Sequence, residues 1–235
     1  NITQVCAIRL AILCSTIFLL TSCDEEIGNS KDVNQETIYF EYSITQDAKN
    51  DAELVLRFRF AGPNGTTLIL NKPSEIRFDS MPLHLDSTES MGAYYAKTIS
   101  YNQLNGNHEI LFTGIDGKQY ANKFQWQNMY CKTELPQSIS QEDVFIAIVG
   151  GLAGNELSVN ISDTSFDTDD ADLYLRISDG GLKIPGDAFA AQKEGPISIS
   201  INHISEIPLA QTTKEGGKLN VNQQIGTLKT NLVHN

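Results

Sequence analysis

The chain of 235 residues has little cysteine, one tryptophan, no basic excess and no apolar run long enough to cross a bilayer. Its longest apolar stretch, Leu10 to Leu20, is interrupted by Cys14, Ser15 and Thr16. A spanning helix needs about 20 apolar residues. Three of the four cysteines fall at positions 6, 14 and 23, and only Cys131 follows. The body of the chain therefore cannot form an intramolecular disulfide, and Cys131 reads as a structural thiol. Lys and Arg number 17 against 29 Asp and Glu, a formal charge of −12. With no basic cluster, that balance argues against nucleic acid, which requires a positive patch. It argues equally against electrostatic docking on anionic lipid.

Catalytic and ligating patterns are also missing. His84, His108, His203 and His234 are scattered, without the H-x-x-x-H or C-x-x-C spacing that places metal ligands together. There is no G-x-S-x-G elbow and no S-x-x-K with K-T-G. Gly150-Gly151-Leu152-Ala153-Gly154 lacks the Lys-Ser/Thr of a phosphate loop and precedes a strand pattern, so it reads as a turn. Nothing assembles a nucleophile, a base and an oxyanion site, so no enzyme and no cofactor are expected.

The N-terminus, in contrast, carries a clear address. Arg9, the apolar stretch and a short polar end form a tripartite export signal, excluded from reasoning about the fold. It closes on Leu20-Thr21-Ser22-Cys23, which resembles the lipobox of bacterial lipoproteins. That resemblance implies a signal peptide at 1–22 and lipidation of Cys23, which would supply a membrane anchor of two or more acyl chains. Asp24-Glu25-Glu26 follows directly. It resembles the surface-export signal of lipoproteins from the phylum Bacteroidota, whereas Asp after the Cys in enterobacterial lipoproteins resembles an inner-membrane retention signal. The first implies an outer-membrane protein facing outward, with a periplasm-facing orientation as the alternative. Residues 23–36 are polar and acidic and read as a flexible tether.

Beyond the tether the pattern is all-β. In Glu53–Phe60, residues Leu54, Leu56, Phe58 and Phe60 share one face and Val55, Arg57 and Arg59 the other, the period of a half-buried strand. Similar runs are Thr37–Ile44, Thr66–Leu70, Glu75–Phe78, Ala93–Ile99, His108–Thr113 and Gln119–Trp126. Asp116-Gly117 between the last two marks a hairpin. About seven short strands in roughly 95 residues suit an immunoglobulin-like sandwich. The second half repeats the design through Val144–Val149, Glu156–Ser162, Asp172–Ser178 and the face Ile197, Ile199, Ile201. A helical turn is expected at Pro185–Ala191. Pro136 lies in a stretch without alternation, which sets a boundary near 133 and divides the fold into domains 37–132 and 133–235.

Gly92-Ala93-Tyr94-Tyr95-Ala96, Gly106-Asn107-His108-Glu109-Ile110-Leu111-Phe112 and Asp116-Gly117-Lys118-Gln119-Tyr120 resemble the last strands of Ig-like domains in bacterial surface lipoproteins. Gly181-Leu182-Lys183-Ile184-Pro185-Gly186 is similar to a companion domain in two-domain lipoproteins. The resemblance implies two tandem Ig-like β-sandwiches and carries no catalytic residue. His108 stands where such folds commonly have Tyr; it and His84 are expected in strands with solvent-facing rings.

Two chemical candidates remain. Asp163, Asp167, Asp169, Asp170 and Asp172 lie close in sequence and could offer oxygen ligands to Ca²⁺. The EF-hand register fails there, since counting from Asp167 puts Asp172 at position six and Ser178 at position twelve, so solvated loop acids are the competing reading. Tyr94, Tyr95 and Trp126 could form a contact platform for carbohydrate or protein, against the competing reading that they are core. The function expected is a non-enzymatic surface module for binding, adhesion or assembly. The alternative is a glycan-binding accessory lipoprotein of a polysaccharide-uptake system, which an exposed row of aromatics would favour, whereas a large exposed apolar patch would favour a protein partner.

Overall fold

Apolar and polar residues alternate along most of the chain, and the alternation resolves into strands on almost every stretch where it is regular. The computed structural model describes residues 27–47, 50–164 and 169–234. The first half contains β1 (Ile27–Asn29), β2 (Ile38–Gln46), β3 (Ala52–Phe60), β4 (Thr67–Ile69), β5 (Glu75–Phe78), β6 (Met81–Pro82), β7 (Leu85–Thr88), β8 (Gly92–Ile99), β9 (Gly106–Thr113) and β10 (Gln119–Trp126). The second contains β11 (Tyr130–Cys131), β12 (Ser138–Ile139), β13 (Val144–Val149), β14 (Glu156–Asp163), β15 (Ala171–Arg176), β16 (Gly181–Ile184), β17 (Gly195–Pro208) and β18 (Gly217–Leu232). A single helical turn lies at Tyr101–Leu104, and the turn expected at Pro185–Ala191 is a 3-10 turn at Gly186–Phe189.

One sheet runs through both halves in the order β1-β4-β3-β2-β18-β17-β14-β15, with β8 beside β3 and β12 beside β18. Two smaller sheets, β10-β9-β5-β6 and β11-β13-β16, cover it. The fold is all-β, with two Ig-like sandwiches, each made from part of the long sheet and one small sheet. The first core is aromatic: Phe40 packs edge-to-face on Phe58, Phe112 and Tyr120 at 5.2–5.6 Å between centroids. The second is aliphatic apart from Phe189 among its described buried residues. On β3, Leu54, Leu56 and Phe58 are fully buried, each worth about 1.5–3 kcal/mol. Phe60 shares their parity but emerges at the strand end, 40% exposed.

The two sandwiches share strands. Along β17, Ile197, Ile199 and Ile201 belong to the second core while Ile207 packs on the first. All four have the same parity on an unbulged strand, so both cores lie on one face of the long sheet. On β18, Leu219 and Val221 belong to the first core, and Ile225 and Leu232 to the second. Here the parity changes, because Ile201 pairs with Gly226 and Asn202 with Gln224, leaving Ile225 as the extra residue of a bulge. The bulge keeps Leu219, Val221, Leu228 and Leu232 all facing inward across the junction.

Three expectations need correction. The first core is not confined to residues 37–132: β18 lies parallel to β2, from Gly217 opposite Phe40 to Gln223 opposite Gln46, and contributes two buried side chains. A cut at 133 would expose them. The tether ends earlier than residue 36, since β1 pairs with β4 and Ser30 is fully buried. Ser30 Oγ accepts from Asn71 N at 3.0 Å and Gln35 Nε2 donates to Ser30 O at 2.7 Å, which satisfies the polar groups this segment buries. His108 is buried rather than solvent-facing. Cys23 lies outside the described residues.

Candidate functional site

Between the two small sheets, where neither covers the long one, a cleft of about 140 Å³ opens. Its floor is the inward face of the shared strands: His203, Ser205 and Ile207 on β17, Val221 and Gln223 on β18. One wall is the end of β10 and the segment after it, Gln125, Trp126, Gln127 and Met129; the other is the β13–β14 loop at Gly150, Leu152 and Asn155. The loop is the glycine-rich turn of the sequence. Gly150 has φ +84°, and a Cβ there would collide with the carbonyl oxygen of Asn128, so glycine lets the walls meet at the cleft's end. Asn155 Oδ1 accepts from Leu152 N at 2.8 Å and holds Leu152 outward, 62% exposed.

The lining contains no Asp, Glu, Lys or Arg, in a chain where these make up 20% of residues. Beneath it, two buried amides bridge the parallel strands: Gln223 Nε2 donates to Gln46 Oε1 at 2.9 Å, and Gln46 Nε2 to Asn50 O at 3.3 Å. Trp126 Nε1 donates to Asn128 Oδ1 at 3.0 Å, and Asn128 Nδ2 donates to Tyr101 O. That chain fixes the wall to the first sandwich. The side chains of Gln125, Gln127, His203 and Ser205 form no hydrogen bond with the described residues. Burial holds the His203 imidazole below its ordinary pKa, so near neutral pH it presents one donor and one acceptor.

The residues singled out from the sequence fall elsewhere or serve packing. Tyr94, Tyr95 and Trp126 are 7%, 5% and 4% exposed and form no platform. Tyr95 reaches across the first core, its hydroxyl accepting from Leu70 N at 2.8 Å. Trp126 borders the cleft but turns most of its surface into the first core. Among the acids, Asp170 and Asp172 come together by accepting from Asn160 Nδ2 at 3.2 and 2.9 Å. Asp163 instead accepts from Lys193 N at 2.9 Å, and Gln192 Nε2 donates to the Asp169 carbonyl. Asp167 lies outside the described residues. Among the described residues, no three His, Cys, Asp or Glu side chains group as metal ligands.

His108 and Asp79 form a close pair, Nδ1 to Oδ2 at 2.7 Å, at the edge of a shallow concavity with Ser80 beside it. The other ring nitrogen is 2.6 Å from Leu104 O, and Asp79 Oδ1 accepts from Glu109 N at 2.9 Å. With Nε2 turned into a backbone carbonyl, the ring is not placed to take a proton from Ser80. The pair instead ties the β5–β6 turn to β9. In the cleft, His203 and Ser205 stand two residues apart on one face, yet make no hydrogen bond to each other.

The cleft was hidden in the sequence because its floor, walls and supporting amides come from five separated segments. Its one local signal was the glycine-rich turn at 150–154.

No family model matches the sequence, and a search of curated proteins finds no relative. Several solved structures share the sandwich architecture at a distance. DIP-gamma IG1+IG2 matches at 8% identity over 84% of this chain and 96% of that one, with a TM-score of 0.23. The fibronectin(III)-like modules of CbhA from Clostridium thermocellum match at 8% identity over 83% and 90%, TM-score 0.23. SGBP-B of the mixed-linkage glucan utilization locus of Bacteroides ovatus, solved with a mixed-linkage heptasaccharide, matches at 10% identity over 80% and 54%, TM-score 0.22. Likenesses this distant carry no argument about function.

Proposed function

We propose that this chain is a non-enzymatic binding module of the bacterial envelope, anchored by lipid on Cys23, displayed on the cell surface and receiving its ligand in the inter-sandwich cleft. One observation carries the binding role. Two strands shared by both sandwiches floor a concave site whose lining carries hydrogen-bonding residues and no charged group. Continuous strands do not hinge, so the cleft is built before a ligand arrives, which spares ordering entropy on binding. Domain junctions are also where small-ligand sites concentrate. The anchor and the outward orientation rest on the lipobox resemblance and the acids after it.

The test is to expose intact cells expressing the full-length chain to a non-permeant protease and follow it by immunoblot, alongside a Cys23→Ser variant. We expect the wild-type band to be lost while a periplasmic control survives, and the variant to leave the membrane fraction. Protection of a protein that is cleaved after lysis would overturn surface display. A Cys23→Ser variant that stays membrane-bound would overturn the anchor.

A further inference from the structure

We propose that the cleft binds one neutral sugar ring of a glycan, gripped on its floor by His203 and Ser205 and at its exposed rim by Gln125 and Gln127; this rests on the reading of the cleft as the ligand site. The chemistry of the lining selects the ligand. A charged ligand would leave water without a counter-charge among the lining residues, which is strongly unfavourable. A wholly apolar ligand would strand the half-buried imidazole and hydroxyl of the floor at about 1–3 kcal/mol each. The occupant must therefore be uncharged, rich in hydrogen-bonding groups and partly apolar.

Each of the four gripping side chains, with His203 neutral, can both donate and accept. Sugar hydroxyls do the same, so either sense of each hydrogen bond can be met. Beside the floor groups lies the half-buried Ile207, against which the C–H face of a pyranose can pack. A dry cavity of roughly 150 Å³ holds benzene, so this open cleft of about 140 Å³ takes one face of a pyranose and leaves its outer hydroxyls in water. Leu152, exposed at the rim, would flank the neighbouring unit of a longer chain.

The experiment uses the purified full chain and nuclear magnetic resonance of the His203 ring protons. Probes are the methyl glycosides of glucose, galactose, mannose and N-acetylglucosamine, with methyl glucuronide as the charged control and an uncharged tripeptide amide as the peptide control. At least one neutral glycoside should shift the His203 signals saturably, with the glucuronide at least tenfold weaker. Gln125→Ala/Gln127→Ala, both exposed, and His203→Ala should each weaken binding at least fivefold with the circular dichroism spectrum unchanged. His203 signals unmoved by every neutral glycoside would overturn the inference. So would equal binding of the glucuronide, preference for the peptide amide, or binding that survives the substitutions. A surface-exposed protein that takes no glycoside would lose this inference alone; a protease-protected one that takes it would lose only the location.

Discussion

Tyr42 and Tyr95 sit in the same aromatic core, and the same substitution should act on them with opposite sign. Tyr42 is fully buried and stacks on Phe40 at 5.8 Å, and its hydroxyl has no hydrogen-bond partner among the described residues. Burial alone drives its phenol pKa well above the ordinary value. An unpaired buried hydroxyl costs about 1–3 kcal/mol. Tyr42→Phe removes that penalty and leaves a void on the order of 10 Å³, worth about 0.2 kcal/mol against folding at roughly 24 cal/mol per Å³. The net expectation is a gain of about 1–2 kcal/mol, or roughly 2–8 °C in Tm for a protein of this size. Tyr95→Phe does the reverse. Its hydroxyl accepts from Leu70 N, so its removal strands a partly buried donor and should lose about 1–2 kcal/mol. Both variants would be compared with wild type by urea denaturation followed through fluorescence and by calorimetry. The midpoint should rise for Tyr42→Phe and fall for Tyr95→Phe, with unchanged m-values. A fall in both would mean that an ordered water serves Tyr42, and the account of an orphaned hydroxyl would be wrong.

Three further outcomes follow from the junction. Gln46→Leu and Gln223→Leu should each destabilise by about 1–3 kcal/mol, because each takes from a buried amide its partner across the strands and leaves it only one weaker backbone contact, while the double variant should lose less than the sum; additive losses in a denaturation cycle would refute the bridge. Burial pushes the Cys131 thiol up to about 11, so alkylation by iodoacetamide at pH 8 should run roughly two orders of magnitude slower in native protein than in urea. Equal rates would contradict its burial. For His203, the folded-state pKa lies below the ordinary 6.5 through desolvation. Above that value the ring is neutral in both states. As pH falls through it, the unfolded chain takes up a proton that the folded cleft resists, so stability should decline between about pH 7 and the lower folded value. His203→Gln should flatten that slope, and an unchanged slope would show that other groups set it.

Strand positions were legible because burial on one face imposes a period of two, and the observed β5, β10 and β13 keep the expected limits. The turn at Asp116-Gly117 was legible for a similar local reason: Gly117 adopts φ +79°. Side-chain roles at Tyr94, Tyr95 and His108 were not. Alternation tells which face a residue takes, not what covers that face. The His108 ring is buried because Leu104 and Asp79, from a helical turn and a hairpin, close over it.

By itself the sequence determined the all-β class, the places of the regularly alternating strands, the two rows of core residues and the absence of local catalytic motifs. Those are local properties, written in spacing, turn residues and composition. Tertiary structure alone decided that β18 lies against β2, opposite residues 177 positions away, and that the halves share one sheet. It also decided that Gln125, Leu152, His203 and Gln223 border one cleft. Pairing at that distance depends on which exposed strand edges meet once both cores have condensed, and the alternation along a strand is the same whichever neighbour it finds.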